Sequence, residues 1–115
     1  MTQSIDIKRS STTADAEDKA TLEPFTFGDQ KVQIATYRPG WRWSEDVKPI
    51  VHTDSCQYEH LAYAASGHMH VIHEDGSEGD VKAGDIVHLE PGHDAWVVGD
   101  EPAVWFHVLE AAPTS

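Results

Sequence analysis

The sequence predicts an all-β fold, a small antiparallel barrel or sandwich. Three observations lead there. Short β-branched and aromatic runs recur along the chain. Gly-Asp and Pro-Gly pairs, which favour tight turns, separate them. No stretch carries the apolar repeat of a helix longer than a turn or two.

Taken in order, residues 1 to about 20 (MTQSIDIKRSSTTADAEDKA) are rich in Ser, Thr, Asp and Ala without apolar period. They read as a flexible N-terminal arm, or one that orders only against a partner, with a barrel domain over residues 21–115. Ala14 to Ala20 is the one helical candidate, and it lacks an apolar face. The first strand expected is VQIATY, Val32 to Tyr37. HLAYAA follows from His60, HMHVIH from His68 to His73, GDVKA as a weak strand, DIVHL from Asp85, AWVV ending at Val98, and AVWFHVL ending at Leu109. Glu74-Asp-Gly-Ser77 is expected to close one hairpin and Gly99-Asp-Glu-Pro102 another. Alternation in HMHVIH puts Met69, Val71 and His73 on an inner face. His68 and His70 then point outward, to solvent or to another chain.

Composition narrows the functions. The 115 residues suit one domain with one core. Eight basic against twenty acidic residues give a formal charge of −12. Such a chain repels phosphate backbones and anionic membranes, so neither nucleic acid nor membrane is an expected partner. No apolar run reaches the length of a membrane span and the N-terminus lacks a signal-peptide core, which makes the cytoplasm the expected location. The single cysteine, Cys56, excludes an internal disulfide framework. Eight histidines, at 52, 60, 68, 70, 73, 88, 93 and 107, are unusual for this length.

Metal donors must converge within about 2.0–2.3 Å of one ion. His52, Cys56 and His60 are spaced by four, and four residues of strand span roughly 13 Å. They can share an ion only if the chain bends between them, at Thr53-Asp54-Ser55, or if Cys56 lies on a loop leading into a strand that carries His60. His93, after the Pro91-Gly92 turn, is the natural donor from the opposite wall.

The text LAYAASG, the Asp-Gly hairpin, KAGDIVHLEPG (Lys82 to Gly92) and PGHDAWVVGDEP together resemble a small single-domain cupin. The resemblance runs from Pro39 to about Leu109 and implies a double-stranded β-helix, or jelly-roll, barrel. That family's first motif has two histidines one residue apart, then a glutamate, then a glycine seven residues later. Counting back seven from Gly67 reaches His60, where glutamate is usual. Cys56 and Asp54 stand where the histidines are usual. The second-motif histidine position is Ala95, while His93 comes one residue after Gly92. The site is thus either rewritten or lost. If rewritten, His60, His93 and Cys56 bind a divalent transition metal (zinc, iron, nickel or copper), with His52 as an optional donor. If lost, the barrel is a metal-free binding or sensing module. Trp41, Trp43, Tyr58 and Trp96 are the expected lining of a pocket for a small apolar or aromatic ligand. Arg42 could meet a ligand carboxylate, and Asp94 could orient His93. A homodimer paired through edge strands is the expected assembly.

Overall fold

A computed structural model describes residues 5–13, 17–53, 55, 56 and 59–109. The chain forms β1 (Ala20–Phe27), β2 (Gln30–Tyr37), one-turn helices α1 (Trp43–Asp46) and α2 (Lys48–Val51), then β3 (His60–Ser66), β4 (His68–His73), β5 (Glu78–Lys82), β6 (Ile86–Leu89), β7 (His93–Val97) and β8 (Ala103–Val108). The all-β jelly-roll expectation holds. Five strands make one antiparallel sheet in the order β1-β2-β8-β3-β6, and three make the other, β5-β4-β7.

Two elements differ from the sequence reading. ATLEPFTF forms the full edge strand β1, paired with β2 from Ala20↔Tyr37 to Phe27↔Gln30. Proline inside a run argues against a strand, but an edge strand tolerates it where no ladder donor is needed. Residues 99–102 do not close a hairpin. β7 pairs with β4 in the small sheet, whereas β8 pairs with β2 and β3 in the large one. A four-residue turn-like connection therefore carries the chain across the barrel, and local turn chemistry cannot distinguish that from a hairpin. The β4–β5 hairpin is as expected.

Alternation fills the space between the sheets. Ala35, Ala62, Ala64, Ala95 and Ala103 point inward beside Tyr37, Trp41, Trp43, Met69, Val71 and Trp105, all buried. Alanines on the inner faces leave room for the three tryptophans, as dense packing requires large against small. Gly67 turns the chain from β3 in the large sheet to β4 in the small one at φ +79°. A Cβ there would lie 2.4 Å from the Pro102 carbonyl oxygen, so only glycine fits.

The arm is anchored over residues 8–13. Ser10, Ser11 and Thr12 donate hydrogen bonds to the Glu23 carboxylate on β1, the Ser11 N–H at 2.8 Å. Lys8 Nζ donates to the Thr26 carbonyl at 2.6 Å, and the buried Arg38 guanidinium to the Thr13 and Asp18 carbonyls at 2.8 Å each. Among the described residues no helix is long and apolar enough to cross a membrane.

Candidate metal centre

Three chain segments meet at one end of the barrel. His60 opens β3 and points inward beside Ala62 and Ala64. His93 opens β7 in the facing sheet. Cys56 lies on the segment before β3, where its backbone pairs with His93. The Cys56 N–H donates to the His93 carbonyl at 2.7 Å, and the Gly92 N–H to the Cys56 carbonyl at 2.7 Å. That pairing supplies the bend that the sequence spacing demanded. One ligand atom from each of Cys56, His60 and His93 falls within 4.8 Å of the other two. Cys56 and His93 are buried and His60 is half-buried.

The protonation states follow from the partners. His93 Nδ1 is 2.9 Å from the Glu90 carbonyl oxygen, which can only accept. Nδ1 therefore carries the hydrogen, and Nε2 of the neutral ring keeps its lone pair. His60 Nδ1 is 3.1 Å from Nε2 of His107, and its Nε2 is 3.6 Å from Cys56 Sγ. Burial holds His60 far below the usual imidazole range, to about 3, with His107 and His93 adding to the effect. Burial takes His107 to about 4. It lowers His93 too, partly opposed by the hydrogen bond to Glu90. All three rings are neutral at pH 7, the form that binds metals.

The donor set fits a transition metal. With Zn–S near 2.3 Å and Zn–N near 2.0–2.1 Å, two donors on a tetrahedral ion sit about 3.6 Å apart. The Cys56–His60 separation has that value. One sulfur and two imidazoles suit zinc and the other borderline metals.

His107 is the residue that sequence reasoning missed. It is 2 % exposed on the inner face of β8, two residues beyond buried Trp105. Its Nδ1 is buried without a hydrogen-bond partner among the described residues. Alternation through Ala103, Trp105 and His107 was the signal that could have found it.

A cavity of about 200 Å³ adjoins the cluster. Trp41, Trp43, Trp105, Tyr37, Met69 and Leu22 line it together with Cys56, His60 and His93, and among the described residues no Asp, Glu, Lys or Arg is in its walls. Burial, with a contribution from Cys56, raises the Tyr37 phenol, which stays protonated. Trp96, grouped with these residues from sequence, lies on the opposite face of β7, because its neighbour Ala95 takes the inward position. There its ring stacks 4.9 Å from His70 and lies under the Arg42 guanidinium at 4.2 Å. Tyr58 and Asp54 lie outside the described residues. His52 caps α2, exposed, in the left-handed conformation. Asp94 accepts from the Ser44 and Ala95 N–H groups and pairs with Arg42 at 3.5 Å, so it secures the α1 segment rather than His93.

No protein-family model matches the chain, and no curated protein matches it in sequence. Solved structures do. An RmlC-like cupin family protein with a double-stranded β-helix fold from Methanocaldococcus jannaschii superposes at a TM-score of 0.61, with 13 % identity over 93 % of each chain. A protein of unknown function from Rhizobium leguminosarum gives 0.59, with 16 % identity over 89 % of this chain and 96 % of that one. A protein with a double-stranded β-helix domain from Klebsiella pneumoniae gives 0.57, with 19 % identity over 90 % and 89 %. At such identities the likeness concerns the fold. With two antiparallel sheets closing over one inner cluster, the chain has the cupin-type double-stranded β-helix fold.

Proposed function

We propose that this protein binds a divalent transition metal through Cys56, His60 and His93 and presents it to a small, neutral, apolar or aromatic ligand in the adjoining cavity. The observation that carries this reading is the convergence of three donor atoms from two sheets and a loop within 4.8 Å, beside an apolar cavity. Three protein donors leave a coordination position open, where a bound metal would polarise a ligand oxygen or nitrogen as a Lewis acid. His93 is held in its binding tautomer by Glu90. His107 orients His60 by accepting from its Nδ1–H, the role that carboxylates and carbonyls usually play for metal-bound histidine. A cavity of about 150 Å³ holds one benzene, so 200 Å³ suits a single substituted ring. A wall without cations offers a carboxylate no counter-charge. A thiolate donor calls for a reducing compartment, and the cytoplasm supplies it.

A second reading, a metal-free binding module, is favoured by one observation. The Cys56–His60 and His60–His107 contacts give both nitrogens of His60 a partner without an ion. Purification without chelator or histidine tag, followed by elemental analysis and cobalt titration, separates the two. The metal reading expects one bound ion per chain and a thiolate-to-cobalt absorption band, both lost in His60→Ala while the barrel stays folded. No uptake of zinc, cobalt, nickel, iron or copper by the wild type would overturn it and leave the metal-free module.

A further inference from the structure

The apolar cavity has one polar spot outside the donor cluster, and it lies at the end of β2. Alternation turns Ala35 and Tyr37 inward there. The residues paired with Tyr37 are Ala20 on β1 and Ala103 on β8, whose small side chains leave its ring room. The ring packs between two tryptophans. Its centroid lies 4.5 Å from that of Trp41 and 5.9 Å from that of Trp105, with the Trp105 plane turned by 81°. Tyr37 is only 7 % exposed, and it lines the cavity together with both.

A phenol this deeply buried ordinarily finds a hydrogen-bond partner. Tyr37 Oη has none among the described residues. Nor is it sealed between protein atoms, as the orphaned Trp105 Nε1 is. On a side chain that lines the cavity, such a hydroxyl opens on the cavity.

The rest of the wall shows what would satisfy it. An ion bound at the cluster would occupy the lone pairs of Cys56, His60 and His93. Among the described residues, the other polar side-chain groups carried by the wall are the Tyr37 hydroxyl, the indole N–H groups of Trp41, Trp43 and Trp105, and the Met69 sulfur. An indole N–H only donates, a thioether sulfur accepts weakly, and a hydroxyl donates readily. A wall of donors calls for an acceptor on the ligand. A carboxylate would lack a counter-charge there, whereas a carbonyl is a strong acceptor without charge.

We propose that the ligand of this cavity is a neutral ring compound bearing a carbonyl oxygen, and that the Tyr37 hydroxyl donates the hydrogen bond that orients it. This rests on the cavity being a ligand site, as proposed above, and makes Tyr37 a specificity-determining residue. A hydrocarbon of the same shape would leave the hydroxyl buried without a partner, which is how a polar group in an apolar site discriminates.

Acetophenone and ethylbenzene, which differ by a carbonyl oxygen in place of two hydrogens, provide the test. Isothermal titration is run with both compounds on the wild type and on Tyr37→Phe. Each protein is used as purified and again after chelation, which separates the hydroxyl from any bound ion. Tyr37→Phe deletes a single oxygen, and circular dichroism checks its fold. It is expected to weaken acetophenone about tenfold in both preparations, the cost of leaving one buried acceptor unpaired. Ethylbenzene is expected to bind unchanged or more tightly. An equal effect on the two compounds, or none on acetophenone, overturns the proposal and leaves the cavity a ligand site. Failure of both compounds to bind the wild type overturns the ligand site and the proposal together. The infrared spectrum of acetophenone on chelated wild type needs no variant. Its carbonyl stretch is expected at lower frequency than in hexane, and an unshifted band overturns the proposal.

Discussion

His107 and His60 form a couple in which one imidazole positions another. If His107 orients His60, His107→Ala should weaken cobalt or zinc binding by about 10–100-fold, the usual cost of losing such a partner. His107→Gln, whose Oε1 can still accept from the His60 Nδ1–H, should recover part of it. Isothermal titration with both variants checks this, and equal losses would mean that His107 only fills space. The same rings set a pH dependence. His60 and His107 titrate at about 3 and 4 in the folded protein and near 6.5 when unfolded. Above pH 6.5 both states are neutral there and the contribution to stability is complete. Between about 6.5 and 3 the unfolded chain takes up protons that the folded chain refuses, so unfolding becomes easier as pH falls. His70 acts oppositely, because the Asp80 and Glu78 carboxylates accept hydrogen bonds from its ring and raise it at the surface. Metal-free protein should therefore melt progressively lower from pH 7 to pH 4, with a shallower slope in His60→Gln. Bound metal should be released only toward the acid end of that window, where the folded His60 ring takes up a proton that competes for its lone pair.

At the scale of elements, the turn between β3 and β4 is the least replaceable. Gly67→Ala meets both a positive φ and a Cβ-to-carbonyl approach of 2.4 Å. Strain and overpacking together should cost ~2–5 kcal/mol, read as a lower midpoint in urea. The N-terminal segment divides into two parts with different roles. Removing residues 1–12 deletes hydrogen bonds to Glu23 and Thr26 at the surface but leaves the Thr13 carbonyl on buried Arg38, and should shift the melting temperature little. Extending the deletion through Phe27 strips β1 from the edge of β2 and removes Leu22 from the cavity wall. That longer deletion should unfold or aggregate, since it bares a strand edge. Differential scanning calorimetry on the two truncations distinguishes the parts.

For the whole molecule, the barrel keeps its apolar cavity and its donor cluster at one end, so ligand and metal should report on each other. Three of the four tryptophans wall the cavity. A neutral single-ring compound such as phenol should alter their emission, and benzoate should do so far more weakly, because no Lys or Arg among the described residues lines the cavity. Equal responses to the two would show that the ring enters elsewhere.

The sequence by itself determined the fold class, because alternation and turn residues are local properties that short peptides already carry. Cys56, His60 and His93 were legible as candidates because each stands at or beside a cupin-like motif position and is a strong ligand type. Trp41 and Trp43 were legible as pocket residues because they follow the Pro39-Gly40 turn. Only the tertiary structure decided what lies next to what. It set Cys56 against His93 across thirty-seven residues through two backbone hydrogen bonds. It brought His107 behind His60, turned Trp96 outward by the register of one strand, and recruited β1 as an edge. It also sent residues 99–102 across the barrel instead of back along one sheet. The physical reason is common to all of these: which strands pair is settled by non-local burial of the inner faces, and a turn or a periodicity carries no information about its distant partner.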